Sequence, residues 1–172
     1  MFRSHLFVAI AFIFAVAATR LLPHPDNFSP MIAVSLFGGA YLTRRWMAVV
    51  IPILAMFVSD IFLGFHDLMI PIYAMMIGFS FLGRNLANDS SAFQIGATTV
   101  GTSLIFFIAS NFLVWLTSGM YSLDLSGLIH CFMMAIPFFQ NQILGDMLFS
   151  SVLFGGMYIM IRNRLVTATV RS

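Results

Sequence analysis

The chain has 172 residues, 60% of them hydrophobic and 8% charged. Soluble domains are roughly 45–50% apolar and about 25% charged, so the chain is read as an integral membrane protein, a single transmembrane domain over residues 1–172. The eight basic residues are all Arg, dispersed along the chain, and the net charge is only +2; this excludes nucleic acid as a partner, and the single Cys131 excludes an internal disulfide framework.

Hydrophobic runs predict the spans in chain order. Arg3 precedes the first, His5–Leu22. Its start, with Ala15-Val16-Ala17 beyond the apolar run, mimics a secretory signal peptide, but a retained first span is expected. The segment "RLLPHPDNFSP", residues 20–30, follows; its prolines disfavour helix on both sides of a tight crossover. Pro30 suits a first helical position, and Pro30–Leu42, a short second span, contains "SLFGGAYL". After Arg44 and Arg45 come a third span, Trp46–Leu63, ending in "SDIFLGFHD", and a fourth, Leu68–Gly83, followed by Arg84. The fifth, Phe93–Thr117, is long enough to tilt and contains "SNFLVW". Leu125–Ile161 is too long for one span and too short for two, so Pro137 is expected to divide it into a short outer surface helix, Ser126–Ile136, and a sixth span, Phe138–Ile161.

The expected fold is therefore an all-α integral membrane protein with six transmembrane helices. That count places Arg3, Arg44, Arg45, Arg84, Arg162, Arg164 and Arg171 on one side, which the positive-inside rule makes cytoplasmic, with both termini. Arg20 is the exception, near the outer end of the first span. An isolated Arg at depth costs about 2.5–3.5 kcal/mol on insertion scales, so it needs a partner.

The polar residues at depth collect in the outer half: Asp60, Asn111, Gln140, Asn141, Gln142 and Asp146. Ser103, Phe107, Asn111 and Trp115 are four apart and share a helix face; Gln142 and Asp146 do the same. Lipid offers no hydrogen bonds, so these faces turn inward together and line an outward-facing cavity. Arg20 then clamps a carboxylate or phosphate, Asp60 and Asp146 hold a donor or cation, Asn111 and Asn141 fix orientation, and Phe28, Trp115 and Phe139 stack on a ring. His24, Asn27 and His66 complete the candidate binding set. Each has a plainer alternative: Asp60 and Asp146 neutralising Arg20 in a structural ion pair, Asn111 as interhelical glue, His24 and His66 as loop residues, Trp46, Trp115 and Tyr121 as aromatic belt.

The four quoted segments, together with "PFFQNQILGD" at residues 137–146, resemble a family of small, uncharacterised bacterial membrane proteins, over about residues 20–158. That family is similar in turn to the substrate-binding S-components of energy-coupling factor (ECF) transporters, which are six-helix bundles of the bacterial inner membrane. The resemblance implies capture of a vitamin or precursor from outside, and delivery beside a transmembrane coupling subunit and two ATPases. The S-component pattern Ala-x-x-x-Ala corresponds to Ala11 and Ala15, which it implies face the coupling subunit. No Walker motif is present, so ATP hydrolysis belongs to other chains.

The expected function is thus binding and uptake of a small polar nutrient, with lipids as surroundings and no cofactor or metal. Nothing in the His24, His66, His130 and Cys131 spacing makes a metal motif. An intramembrane enzyme pairing Asp60 with His66, or Asp146 with His130, is the competing class, without any nucleophile or metal signature to support it. A structural assembly subunit is the third.

Overall fold

The computed structural model describes residues 2–86 and 90–170, with side chains described over 6–86 and 90–163. Among the described residues it is all-helical. Helix α1, Phe2–Ala18, runs into a 3-10 turn, Thr19–Leu21; α2 is Met31–Tyr41, α3 Arg45–Leu63, α4 Met69–Gly83, α5 Ala92–Thr117 and α6 Leu125–Val170. Helices α2 to α5 lie within a residue of the expected spans at each end.

Helix α6 departs from expectation. Pro137 does not divide it into a surface helix and a span; it sits inside one helix of 46 residues. Proline removes one N–H and crowds the preceding turn. Here α5 holds the helix together across that fault. The Phe107 ring packs against Phe132 on one side of Pro137 and Phe139 on the other, with centroids 5.6 and 4.3 Å away. Helix α6 starts on a side-chain cap that composition does not reveal. The Gly127 N–H donates to Asp124 Oδ1 at 2.7 Å, and the Ser122 hydroxyl at 3.0 Å.

Three helices are long and apolar enough to cross a bilayer: α3, α5 and the Leu125–Asn163 part of α6. The other three are shorter, and α2, at 11 residues, rises only about 16 Å. The outer surface suits lipid: Phe62, Ile70 and Phe93 are 72%, 82% and 83% exposed.

Short as it is, α2 is the centre of the structure. It touches all five other α-helices, and Ile32–Gly39 are buried without interruption. A helix apolar all round belongs inside a bundle. Phe37 meets Phe12, Tyr41 and Phe154, and the surrounding core includes Ile13, Met56, Met76 and Leu153. The glycine pair of "SLFGGAYL" sets how closely the neighbours approach. A Cβ on Gly38 would come 2.5 Å from Pro52 Cγ of α3, and one on Gly39 would come 2.0 Å from the Ser80 carbonyl oxygen of α4. Gly83 meets α2 from the other side, where a Cβ would lie 2.1 Å from the Leu36 carbonyl oxygen.

The first half of α6 and the last part of α5 form a separate hairpin. Cys131 and Ala135 are buried outside the main core, Cys131 against the Asn111 carbonyl. The Trp115 indole donates to the Ser122 carbonyl at 2.9 Å, closing the hairpin's tip.

Two outcomes follow from this packing. Gly39→Ala and Gly83→Ala each force backbone apart and are expected to cost about 3 kcal/mol or more in denaturant unfolding. Gly78→Ala, whose Cβ meets nothing within 4 Å, is the neutral control, and equal stability of all three contradicts the packing. At the α6 cap, the Gly127 N–H and then the Ser122 hydroxyl hold the Asp124 carboxyl below its ordinary 3.8. A depressed folded value means that this contribution is present above the unfolded value and is lost as pH falls through the folded one. By NMR the Asp124 carboxyl carbon is expected to titrate below 3.8, with the Gly127 amide moving in step; titration at or above 3.8 contradicts the cap.

Candidate functional site

The polar residues form two buried clusters, and Arg20 belongs to the first. The 3-10 turn ending α1 turns Arg20 inward onto α3. Its Nη2 lies 2.7 Å from Asp60 Oδ1, and its Nη1 donates to Ser59 Oγ at 2.5 Å and to the Met56 carbonyl at 3.3 Å. The Tyr73 hydroxyl of α4 donates to the other carboxylate oxygen, Asp60 Oδ2, at 2.5 Å. Ser59 donates in turn to the Met56 carbonyl at 2.7 Å. The Arg20 and Asp60 side chains are 12% and 3% exposed, so the pair is nearly desolvated and its hydrogen bonds are internal.

Asp146 is not part of that cluster. It is 1% exposed on α6 and accepts from Ser103 Oγ of α5 at 2.6 Å through Oδ2, with Gln142 one turn before it on the same helix. Gln142 ties the two helices again, donating to the Ser103 carbonyl at 2.9 Å. The network continues one turn further: Ser103 also reaches the Thr99 carbonyl at 2.9 Å, and Thr99 Oγ1 donates to Ser150 Oγ at 3.1 Å. Among the described residues no basic side chain reaches Asp146. The expected sharing of Arg20 by Asp60 and Asp146 is therefore replaced by one ion pair and one hydroxyl–amide cluster.

The remaining predicted residues have other surroundings. "PHPDNFSP" is a crossover docked on α6. Asn27, at φ 61°, supplies the left-handed position of a turn closed by the Phe28 N–H on the Pro25 carbonyl at 3.0 Å. Asn141 donates from α6 to the Asp26 carbonyl at 3.2 Å, and Phe28 sets its ring edge-on to Phe149. Gly145 makes room, since a Cβ there would lie 3.1 Å from the Ser29 nitrogen. His24 Nδ1 lies 2.9 Å from the Pro25 carbonyl, and His66 is exposed in the α3–α4 loop. Asn111 donates to its own helix at the Phe107 carbonyl, 2.8 Å away, and with Trp115 belongs to the α5–α6 hairpin. Ala11 and Ala15 are both exposed on α1. Among the described residues no three His, Cys, Asp or Glu side chains converge as metal ligands would.

A cavity of about 490 Å³ opens at the opposite end of the bundle, between the start of α5, the second half of α6 and the end of α2. Tyr41, Phe154 and Tyr158 supply aromatic walls, and Ser91, Ser150 and Ser151 supply hydroxyls. Ser150 is also the last member of the Asp146 network, so that network reaches the cavity wall. None of the predicted binding residues lines it. The sequence carries no local mark of it: in "SSVLFGG" Gly155 faces open space, but Gly156 beside it packs on Phe12.

Removing one partner from the Arg20–Asp60 pair strands a buried charge. Arg20→Met is expected to cost about 3–5 kcal/mol in unfolding, and the double variant Arg20→Met/Asp60→Leu to regain most of it. A double variant no more stable than the single one contradicts the pairing.

Comparison with curated proteins and with solved structures returns no match, so the S-component likeness has no relative or neighbour behind it. A family pattern does match, over residues 1–169. The chain belongs to DUF6580, a family of unknown function.

Proposed function

We propose that this protein is an S-component-like binding and uptake protein of the bacterial inner membrane, capturing a small polar nutrient such as a vitamin or its precursor. All six helices cross the bilayer, with the short α2 shielded from lipid by its neighbours. Both termini are cytoplasmic, with Arg44, Arg45, Arg84 and Arg162 along the inner face. The ligand enters from outside at the Arg20 end. The observation that carries this reading is the Arg20–Asp60–Tyr73 cluster: a desolvated guanidinium held at the end of α1 inside a bundle whose outer surface is apolar. Ionisable residues within membrane segments are rare and costly, which supports reading this pair as functional.

Capture is an exchange. Arg20 releases Asp60 and takes the ligand's carboxylate or phosphate, while Asp60 keeps the Tyr73 hydroxyl. The exposed Ala11 and Ala15 support a face on α1 for a coupling subunit, with ATPases supplied by other chains.

The Arg20→Met/Asp60→Leu variant separates function from folding. Gently extracted protein is expected to carry a small molecule seen by native mass spectrometry, and the double variant to be folded and to lose it. Retention of the same molecule by the double variant overturns the clamp.

A further inference from the structure

We propose that the cavity at the arginine-flanked end is a second binding site, for an uncharged compound with a flat ring and hydrogen-bonding oxygen or nitrogen atoms. It does not depend on uptake at the Arg20 end, because it rests on different residues. The cavity lies between Tyr41, three residues before Arg44, and Tyr158, four residues before Arg162. Its 490 Å³ falls within the roughly 300–1,000 Å³ of small-molecule sites.

The lining specifies the ligand class. Tyr41 and Phe154 stand with ring centroids 5.8 Å apart, one wall for a flat ring. Ser150 Oγ lies 3.1 Å from Thr99 Oγ1, and a hydroxyl both donates and accepts, so this pair retains hydrogen-bonding capacity at the cavity wall. The Tyr41 and Tyr158 hydroxyls have no hydrogen-bond partner among the described residues. The described lining holds hydroxyls and aromatic rings and no charged side chain, which offers a neutral polar ligand donors and acceptors.

Gly155 offers a direct block. It lines the cavity, and a Cβ built there meets nothing within 4 Å, so a larger side chain enters the open volume without displacing backbone. Ser151 is an independent block on the same wall, its hydroxyl bonded only to its own helix at the Met147 carbonyl, 2.7 Å away.

The test uses the full-length protein in lipid nanodiscs, the neutral photoprobe 4-hydroxybenzophenone and peptide mapping of the adducts. Saturable labelling is expected at Met147 and Tyr158. Gly155→Leu and Ser151→Leu are each expected to reduce it about tenfold or more, which is about 1.4 kcal/mol or more. Gly78→Leu, on α4 and equally open, leaves it unchanged. The anionic 4-benzoylbenzoate labels the cavity weakly. Circular dichroism confirms that each variant is folded, and Ser151→Leu carries the test if Gly155→Leu is not. Labelling that does not saturate, that spreads over lipid-facing Phe57 and Ile61, that survives both blocks, or that is as strong with the anion overturns the site.

Discussion

Lipid supplies no hydrogen-bond partner, and that single constraint organises the interior. Among the described residues the buried ionisable groups at depth have found partners within the protein, while Gln140 stays exposed on α6. Arg20 takes Asp60, Ser59 and a carbonyl; Asp146 takes Ser103, whose carbonyl takes Gln142. Smaller hydroxyls fold back onto their own helices, as Ser80 does on Met76, Thr102 on Thr98 and Ser151 on Met147. Among the described residues two buried hydroxyls, Ser29 and Ser35, have no partner, and Ser35 lies wholly buried in α2.

The second organising feature is the enclosure of α2. Without a hydrophobic drive between helices in lipid, close packing of small residues holds a bundle together. Gly38, Gly39 and Gly83 bring α3 and α4 against α2 at backbone distance, while Phe37 and Phe154 join it to α6. Helix α2 can be short because other protein, not lipid, surrounds it. The crossover before it is fixed by Asn141 and Phe149 rather than left in water. The α5–α6 hairpin is a different kind of element: its two helices pack mainly on each other and leave Phe112, Ile129 and Met133 outward.

Much of this was legible in the residues. Unbroken apolar runs bounded by proline, glycine and arginine located the helices, because a membrane segment declares itself by composition alone. The cost of a lone arginine demanded an acid, and Asp60 is that acid. What stayed hidden was tertiary. Nothing local marks Tyr73 in "MIPIYAMM" as the second partner of Asp60, and Ser103 shared a face with Asn111 without revealing that Asp146 would take it. Pro137 is a reasonable break by local rules; only the Phe107 contact on both of its sides explains why the helix continues. The cavity escaped because its walls are ordinary residues from three separated stretches, brought together by the fold.

Labelling with a phospholipid that carries a photoreactive diazirine in its acyl chain tests the central claim most directly, namely that this bundle turns its polar side chains inward around an enclosed α2. Adducts mapped on the protein in nanodiscs are expected on Phe57, Ile61, Phe112 and Met133, and to be missing from Ile32–Gly39 and from Asp60 and Asp146. Acyl-chain adducts on α2, or at the Arg20–Asp60 pair, would contradict the account.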